Sequence, residues 1–373
     1  MKKTLIALAV LGAAAGVAHA QSNVTIYGVV DTGYILESGR DVRMGENINN
    51  RIGFRGSEDL GGGLKATFEL EKRFDLFDGS MGNSNTAGYQ ANRGATGKDW
   101  DGAANLGLAG NWGRVRFGRV NELTTETIRK FDPFYQYGVG SMLLSANRSA
   151  RIDNTARYDS PKWSGFSFGA SYSLGQNTRN DGGYVGDGGA ANPFYSSGAS
   201  NDGYGINLSY DNGPFMATAN WSRLADSDDS DTWNVGLAYK FGPARVSLLY
   251  ENTSNEGWAG GGNSAPKAKS SWQARGLDTD LWLLGLEWDI GPGQLDASVQ
   301  YMDFDPSASK AQGGYDADVY KYAIGYTYNL SKRTSAYAQV SYSDFDEQSA
   351  GKAISGLERS DMWGFQIGMT HKF

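Results

Sequence analysis

Cysteine is missing from all 373 residues. No disulfide can staple the fold, and no thiolate is available for metal binding or nucleophilic attack. Histidine is almost as scarce, with only His19 and His371, so a general base beside a nucleophile is hard to assemble and catalysis is not expected. Proline occurs at just 8 positions. Beyond residue 20 no apolar run reaches the length of a membrane-crossing helix. What is abundant is glycine, at 52 residues, together with aromatic side chains at 13% of the chain. That composition belongs to a protein of many short strands.

The first twenty residues, MKKTLIALAVLGAAAGVAHA, read as a cleaved signal peptide. Lys2 and Lys3 form the basic end, Thr4 to Val17 the apolar stretch, and Ala18-His19-Ala20 a small-x-small cleavage site. The apolar stretch is too short for a comfortable membrane anchor. The mature domain is therefore expected to span 21–373 in an exported protein, more acidic than the net −7 of the whole chain once Lys2 and Lys3 are lost.

From there to the end the side chains alternate with a period of two, the mark of strands. In the segment 64–73, Leu64, Ala66, Phe68 and Leu70 oppose Lys65, Thr67, Glu69, Glu71 and Arg73. Similar segments recur to give sixteen strands, from Val24–Tyr34 and Arg51–Ser57 to Trp363–Phe373. Tight turns such as 211–214, 242–243 and 291–293 alternate with long polar stretches such as 74–99, 175–202, 253–277 and 344–360. Short turns on one side and long loops on the other describe an up-and-down transmembrane barrel. The apolar faces end in aromatics, as in Trp282/Leu284/Leu286/Trp288, which suits an aromatic girdle at each membrane interface. A soluble propeller would carry a blade repeat, and none is present. Strands in hydrocarbon must pair every backbone group, so the sheet has to close.

One stretch, 120–150, breaks the pattern. It carries Leu123, Ile128, Phe131, Phe134, Tyr135, Tyr137, Val139, Met142, Leu143 and Leu144, too much apolar surface for a loop in water, and is expected to fold back and pack. Its charges, Glu122, Glu126 and Asp132 against Arg129, Lys130 and Arg148, sum to zero.

Several segments are familiar. VTIYGVVDTGY, RIGFRGSEDLGGGLKATFELE, GNWGRVRFGR, DNTARYDSPKWSGFSFGASYSLG, YNLSKRTSAYAQVSYS and the ending GMTHKF resemble the general porins of beta-proteobacteria, in the family's order and over nearly the whole mature chain. The resemblance implies an all-β fold: a 16-stranded antiparallel transmembrane β-barrel in the outer membrane, with short periplasmic turns and long external loops. It further implies a homotrimer whose third external loop, here 120–150 with its Phe131-Asp132-Pro133-Phe134, folds inward and narrows the pore. The expected partners are outer-membrane lipids and lipopolysaccharide, with small hydrophilic solutes and ions passing through; nucleic acid is not among them, and no cofactor is expected.

Sixteen strands leave a water-filled channel. Alternation turns Arg51, Arg55, Lys65, Arg73, Arg114, Arg116, Arg151, Arg157 and Arg245 inward, beside Glu69, Glu71, Asp153, Glu251 and Asp296. Wall arginines facing a neutral loop are expected to give a weak anion preference, because fixed charge acts strongly in a narrow, partly desolvated bore. Pore-lining candidates are thus Glu122, Glu126, Arg129, Lys130 and Asp132 on the loop, and Arg51, Arg55, Arg73, Arg116, Arg151, Asp153 and Arg157 on the wall. Gly61-Gly62-Gly63 lacks the helix and Lys-Ser/Thr of a phosphate cradle, and Asp226–Asp231 lacks the spacing of a calcium loop, so no metal site is expected. Passive diffusion is the leading function. A solute-selective channel, with Phe131, Phe134, Tyr135 and Tyr137 lining a binding track, or a surface adhesin built on the long loops, are the alternatives.

Overall fold

The computed structural model describes residues 23–81, 99–143, 151–175, 202–223, 225, 231–254, 277–306, 317–346 and 359–373. The signal segment, most of the long polar stretches, Asp226–Asp229, Leu144 and Arg148 lie outside the described residues. In chain order the strands are β1 Asn23–Glu37, β2 Arg43–Gly45, β3 Arg51–Gly61, β4 Leu64–Arg73, β5 Ala103–Gly110, β6 Gly113–Asn121, β7 Arg151–Asp159 and β8 Phe166–Ser173. They continue as β9 Gly203–Asn212, β10 Phe215–Arg223, β11 Asp231–Phe241, β12 Ala244–Ser254, β13 Leu277–Ile290, β14 Gly293–Pro306, β15 Ala317–Asn329, β16 Thr334–Phe345 and β17 Asp361–Lys372.

Every neighbour is antiparallel, and the last strand returns to the first. Residues 29–37 of β1 pair with β17, while residues 23–29 pair with β3. The ends are sealed by Gly28 N–H donating to Phe373 O at 3.0 Å and Phe373 N–H to Gly28 O at 3.1 Å. The result is a closed barrel of sixteen strands, with β2 a short fragment of the second one.

That fragment departs from the sequence reading, which starts the second strand at Arg51. Here β2 pairs with residues 33–35 of β1, on the edge that β3 uses further down. Residues 46–50 between them bulge inward, burying Glu46, Asn47, Asn49 and Asn50. The bulge strips β1 of a partner at Asp31, and side chains repair the loss. Asn50 Oδ1 accepts from Asp31 N–H at 2.5 Å, and the Asp31 carboxylate accepts from Asn47 N–H at 2.7 Å, Tyr337 Oη at 2.8 Å and Thr370 Oγ1. A buried backbone donor left alone would cost about 1–3 kcal/mol, so these amides are structural.

The outer face is apolar. Leu106, Phe117, Ile206, Leu237, Leu284, Ile324 and Ile367 all stand exposed. Ring contacts band both rims: Tyr172–Tyr204, Tyr250–Trp282, Tyr301–Tyr320 and Tyr342–Trp363 towards the long loops, and Trp112–Tyr158, Phe166–Tyr210 and Tyr239–Phe241 towards the short turns. These are the two interfacial girdles of a membrane barrel.

Closure depends on Gly28, where a Cβ would lie 2.6 Å from Arg51 O and 2.3 Å from the Phe373 ring. Gly28→Val is expected to cost about 1–3 kcal/mol by overpacking the seam. The check is thermal unfolding of the folded barrel, followed by circular dichroism; an unchanged profile would place the seam's stability elsewhere.

Candidate functional site

The inward loop is built from short local pieces. After β6 the chain forms α1, Leu123–Ile128, and one 3₁₀ turn, Arg129–Phe131. Glu122 caps α1, accepting from Thr124 N–H at 3.0 Å and Thr125 N–H at 2.5 Å, which satisfies two of the donors a helix start leaves free. Asp132 does the same for the next turn: its carboxylate accepts from Phe134, Gln136 and Met142 N–H at 3.0, 2.7 and 2.9 Å. At the tip Tyr135, Gln136 and Gly138 have φ of 53°, 64° and 68°. Each non-glycine residue in that region costs of order 1–3 kcal/mol, so the tip holds its shape only because the Asp132 clamp and the wall over-determine it.

The loop lies on a half of the inner wall that carries an apolar patch. Ile128, Phe131, Met142 and Leu143 pack into one buried cluster with Leu249, Leu281, Leu283, Met302, Val319 and Phe345 from β12 to β16. Burying each large side chain contributes about 1.5–3 kcal/mol. Glycines let the loop approach closely: a Cβ at Gly236, Gly285, Gly325 or Gly364 would lie 2.7–3.1 Å from Phe131, Pro133, Phe134 or Val139. Polar wall groups then tie down the backbone. Arg245 donates to Lys130 O at 2.6 Å, Ser247 to Phe131 O at 2.6 Å and Lys321 to Ser141 O at 2.6 Å. Gln300, Gln339 and Gln366 accept from Leu143, Gly140 and Val139 N–H at 2.7, 3.2 and 3.1 Å.

The other half of the wall, β3 to β7, is charged and faces the opening. Alternation places its arginines inward, and the structure groups them by the acids they share. Glu71 lies 3.5 Å from Arg51 and 3.7 Å from Arg151. Nearer the periplasmic mouth, Asp159 lies 2.7 Å from Arg116, 2.7 Å from Arg157 and 3.5 Å from Arg114. Arg157 also meets Glu126 of the loop at 2.5 Å. Burial pushes the Glu126 carboxyl up, but the Arg157 guanidinium, with Arg116 behind it, outweighs this and leaves it below the ordinary glutamate range. Asp153 pairs with Arg119 at 2.5 Å. Arg55 is exposed, stacked 5.0 Å over the Tyr27 ring, and Arg73 faces Arg51 across β3 and β4.

Three expectations change. Glu122 and Asp132 do not border the water: they are 2% and 0% exposed, turned onto the loop's own N–H groups. Burial pushes Asp132 up despite those bonds. The loop's formal neutrality is thus not what the bore sees, since Lys130 is exposed and Arg129 half-buried. Phe131 and Phe134 are buried against the wall and line no track, because the apolar patch beneath claims them. Tyr135 is exposed, with its hydroxyl donating to Glu287 at 3.0 Å, and Tyr137 is half-buried. The inner wall is also not uniformly polar.

Arg119 was missed by strict alternation, which puts it on the lipid face. A β-bulge between Gly118 and Val120 re-aims it to Asp153 and to Asp101 O at 2.8 Å. Gly118 inside a strand is the sequence signal for such a bulge. The inward apolar patch also had a signal: Leu281-Trp282-Leu283-Leu284 is apolar at successive positions and therefore on both faces of β13.

A closed sixteen-stranded barrel with a lipid-facing belt, two aromatic girdles and a loop folded across a polar bore is an outer-membrane diffusion channel. Similarity to known proteins agrees. The family model for Gram-negative porins matches residues 7–348. An outer membrane porin protein of Bordetella pertussis is 30% identical, and outer membrane porin protein 32 of Delftia acidovorans 31% identical, each over the whole of both chains. Among solved structures, one described as an anion-selective porin from Comamonas acidovorans is 26% identical, covers 95% of this chain and 100% of its own, and has a TM-score of 0.71. The chain belongs to the Gram-negative porin family. It is an outer-membrane porin, a water-filled channel for passive diffusion of small hydrophilic solutes and ions.

Excising 124–143 is expected to raise single-channel conductance while the barrel still closes, since no strand pairing involves the loop. It also leaves Leu249, Leu281 and Leu283 facing water, so thermal stability should drop by several kcal/mol, at about 1.5–3 kcal/mol for each exposed side chain. Planar-bilayer recordings and a melting curve read the two effects, and unchanged conductance would mean that the loop does not narrow the bore.

Proposed function

We propose that the channel passes small anions in modest preference to cations, with Arg51, Arg73, Arg116, Arg151 and Arg157 of the wall and Arg129 and Lys130 of the loop setting that bias. The sharing of carboxylates carries the reading. Glu71 serves two guanidiniums, and Asp159 with Glu126 serves three, so each group leaves positive charge over. Withdrawal of Glu122 and Asp132 into the loop removes two further acids from the bore. In a narrow passage of intermediate dielectric, such surplus acts on every passing ion. The similar structure from Comamonas acidovorans, itself described as anion-selective, supports the same assignment.

The remaining roles follow the family. Residues 1–20 direct export, 21–373 form the barrel, and three copies assemble among outer-membrane lipids and lipopolysaccharide, as the resemblance to trimeric porins implies. The protein acts as a channel and not as an enzyme. Burial of Phe131 and Phe134 speaks against an aromatic solute track.

The test is the reversal potential in a potassium chloride gradient across a planar bilayer. The wild-type sign should be that of an anion-preferring pore, and a cation sign would overturn the reading. Arg51→Gln combined with Arg151→Gln should shift the potential towards cations. A unit charge about 5 Å from an ion is worth ~1 kcal/mol in a water-like dielectric, roughly fivefold in relative permeation.

A further inference from the structure

Five strands that descend from the external loops share an Asp-x-aromatic sequence at their outer ends. Asp202-Gly203-Tyr204 leads into β9, Asp231-Thr232-Trp233 into β11, Asp280-Leu281-Trp282 into β13, Asp318-Val319-Tyr320 into β15 and Asp361-Met362-Trp363 into β17. In each the middle residue turns inward and is buried, while the ring is exposed on the lipid face. Alternation puts the aspartate on the lipid face too, one pleat nearer the external medium than the ring. The same interval separates all five from the short turns. Asn212, Phe241, Ile290, Tyr328 and His371 each lie ten residues further on, at the periplasmic end of the strand.

Neighbouring side chains hold the carboxylates at that height. Tyr172 of β8 donates its hydroxyl to Asp202 at 2.5 Å, and Tyr301 of β14 donates to Asp318 at 2.6 Å. Tyr250 of β12 donates to Asp280, which also accepts from Asn252 at 3.2 Å. Each donor ring packs against the aromatic residue two places below its acceptor: Tyr172 on Tyr204 at 5.4 Å, Tyr301 on Tyr320 at 5.0 Å and Tyr250 on Trp282 at 4.5 Å. Asp231 instead takes two nitrogens of Arg223, at 2.9 and 2.8 Å, and Asp361 has Arg359 at 3.8 Å. Asp303 of β14 stands in register with both Asp280 and Asp318, and Asp344 of β16 with Asp361. Like charges opposite one another across a sheet are destabilising unless water screens them, and charge on the lipid face is destabilising within hydrocarbon. The row therefore belongs in the polar layer outside the acyl chains.

We propose that this row of carboxylates is a thickness gauge: it fits the lipid face to a thin bilayer and rejects a thick one. Between the row and the turn each strand keeps only a short outward series for lipid, as with Trp282, Leu284, Leu286 and Trp288 of β13. Ten residues rise about 33 Å along a strand, and a tilt of about 40° leaves about 25 Å across the membrane. A typical hydrocarbon layer is about 30 Å thick, and that of the bacterial outer membrane is thinner. An amphipathic ring at the boundary can sink or rise. A carboxylate fastened to the next strand cannot, because a thicker bilayer would submerge the charge together with its partner. None of these side chains faces the bore, so the inference is independent of the charge preference proposed above.

The experiment reconstitutes the folded protein into vesicles of dimyristoleoyl, dioleoyl and dierucoyl phosphatidylcholine, mixed in pairs. Relative binding of the short, medium and long chains is read from quenching of the protein's tryptophans by the brominated form of each lipid. One variant combines Asp280→Val, Asp303→Val and Asp318→Val, which replaces charge by apolar strand-forming side chains. A second combines Trp282→Leu and Tyr320→Leu, which removes rings and leaves the row intact. Wild-type single-channel conductance shows that each has folded. The wild type should favour dimyristoleoyl over dierucoyl chains several-fold. The valine variant should lose most of that preference, and the leucine variant should keep it. Equal binding of all three lipids by the wild type, or a valine variant as selective as the wild type, overturns the proposal. So does a leucine variant that loses the preference, since selection would then lie with the aromatic girdle.

Discussion

Closure of the sheet is the constraint on which everything else depends. In hydrocarbon a strand edge has no water to pair with, so both edges of β1 need partners. It achieves this with three partners: β17 along 29–37, β3 along 23–29 and the fragment β2 along 33–35. Where the partners fail, at Asp31, side-chain amides take over. A ring so closed has an inside that sixteen strands cannot fill, and the two halves of that inside meet the problem differently.

One half is covered with protein. The apolar residues of β12 to β16 receive the loop's own apolar residues, and glutamines and Lys321 fasten its backbone. The other half is left to water and lined with guanidinium groups that share too few acids. Position and selectivity are thereby separated. The apolar patch and the polar groups around it decide where the loop lies, and the charged half decides what the remaining opening favours. Residues that look like pore charges in one dimension, Glu122 and Asp132, belong to the first task, because a tightly folded loop needs acceptors for its own N–H groups more than the bore needs anions.

Much of this is legible in the sequence, since alternation along a strand is a strong signal and the pairing order of an up-and-down barrel follows the chain. Leu64 to Arg73 already shows which side chains meet lipid and which meet water. The inward packing of 120–150 is equally plain from its apolar content. Three things were not. The bulges at 46–50 and at Gly118 break the period locally, and only pairing partners show where a side chain such as Arg119 then points. The apolar inner patch hides in strands apolar on both faces, where Leu281 and Leu283 look like lipid residues out of step. The partition of charges is set by distances between residues far apart in the chain, such as Arg157 and Glu126, and no local pattern encodes them.

The glycines under the loop bear on how wide the channel is. Gly236, Gly285, Gly325 and Gly364 are inward positions of four different strands, and each leaves the depth of one methyl group for Phe131, Pro133, Phe134 or Val139 to sink into. The loop is in this sense countersunk. Its distance from the arginines opposite is fixed by what the strands omit, as much as by what the loop contains. The calibre of the passage is therefore a property of the wall, adjustable one strand at a time with every residue of the loop unchanged.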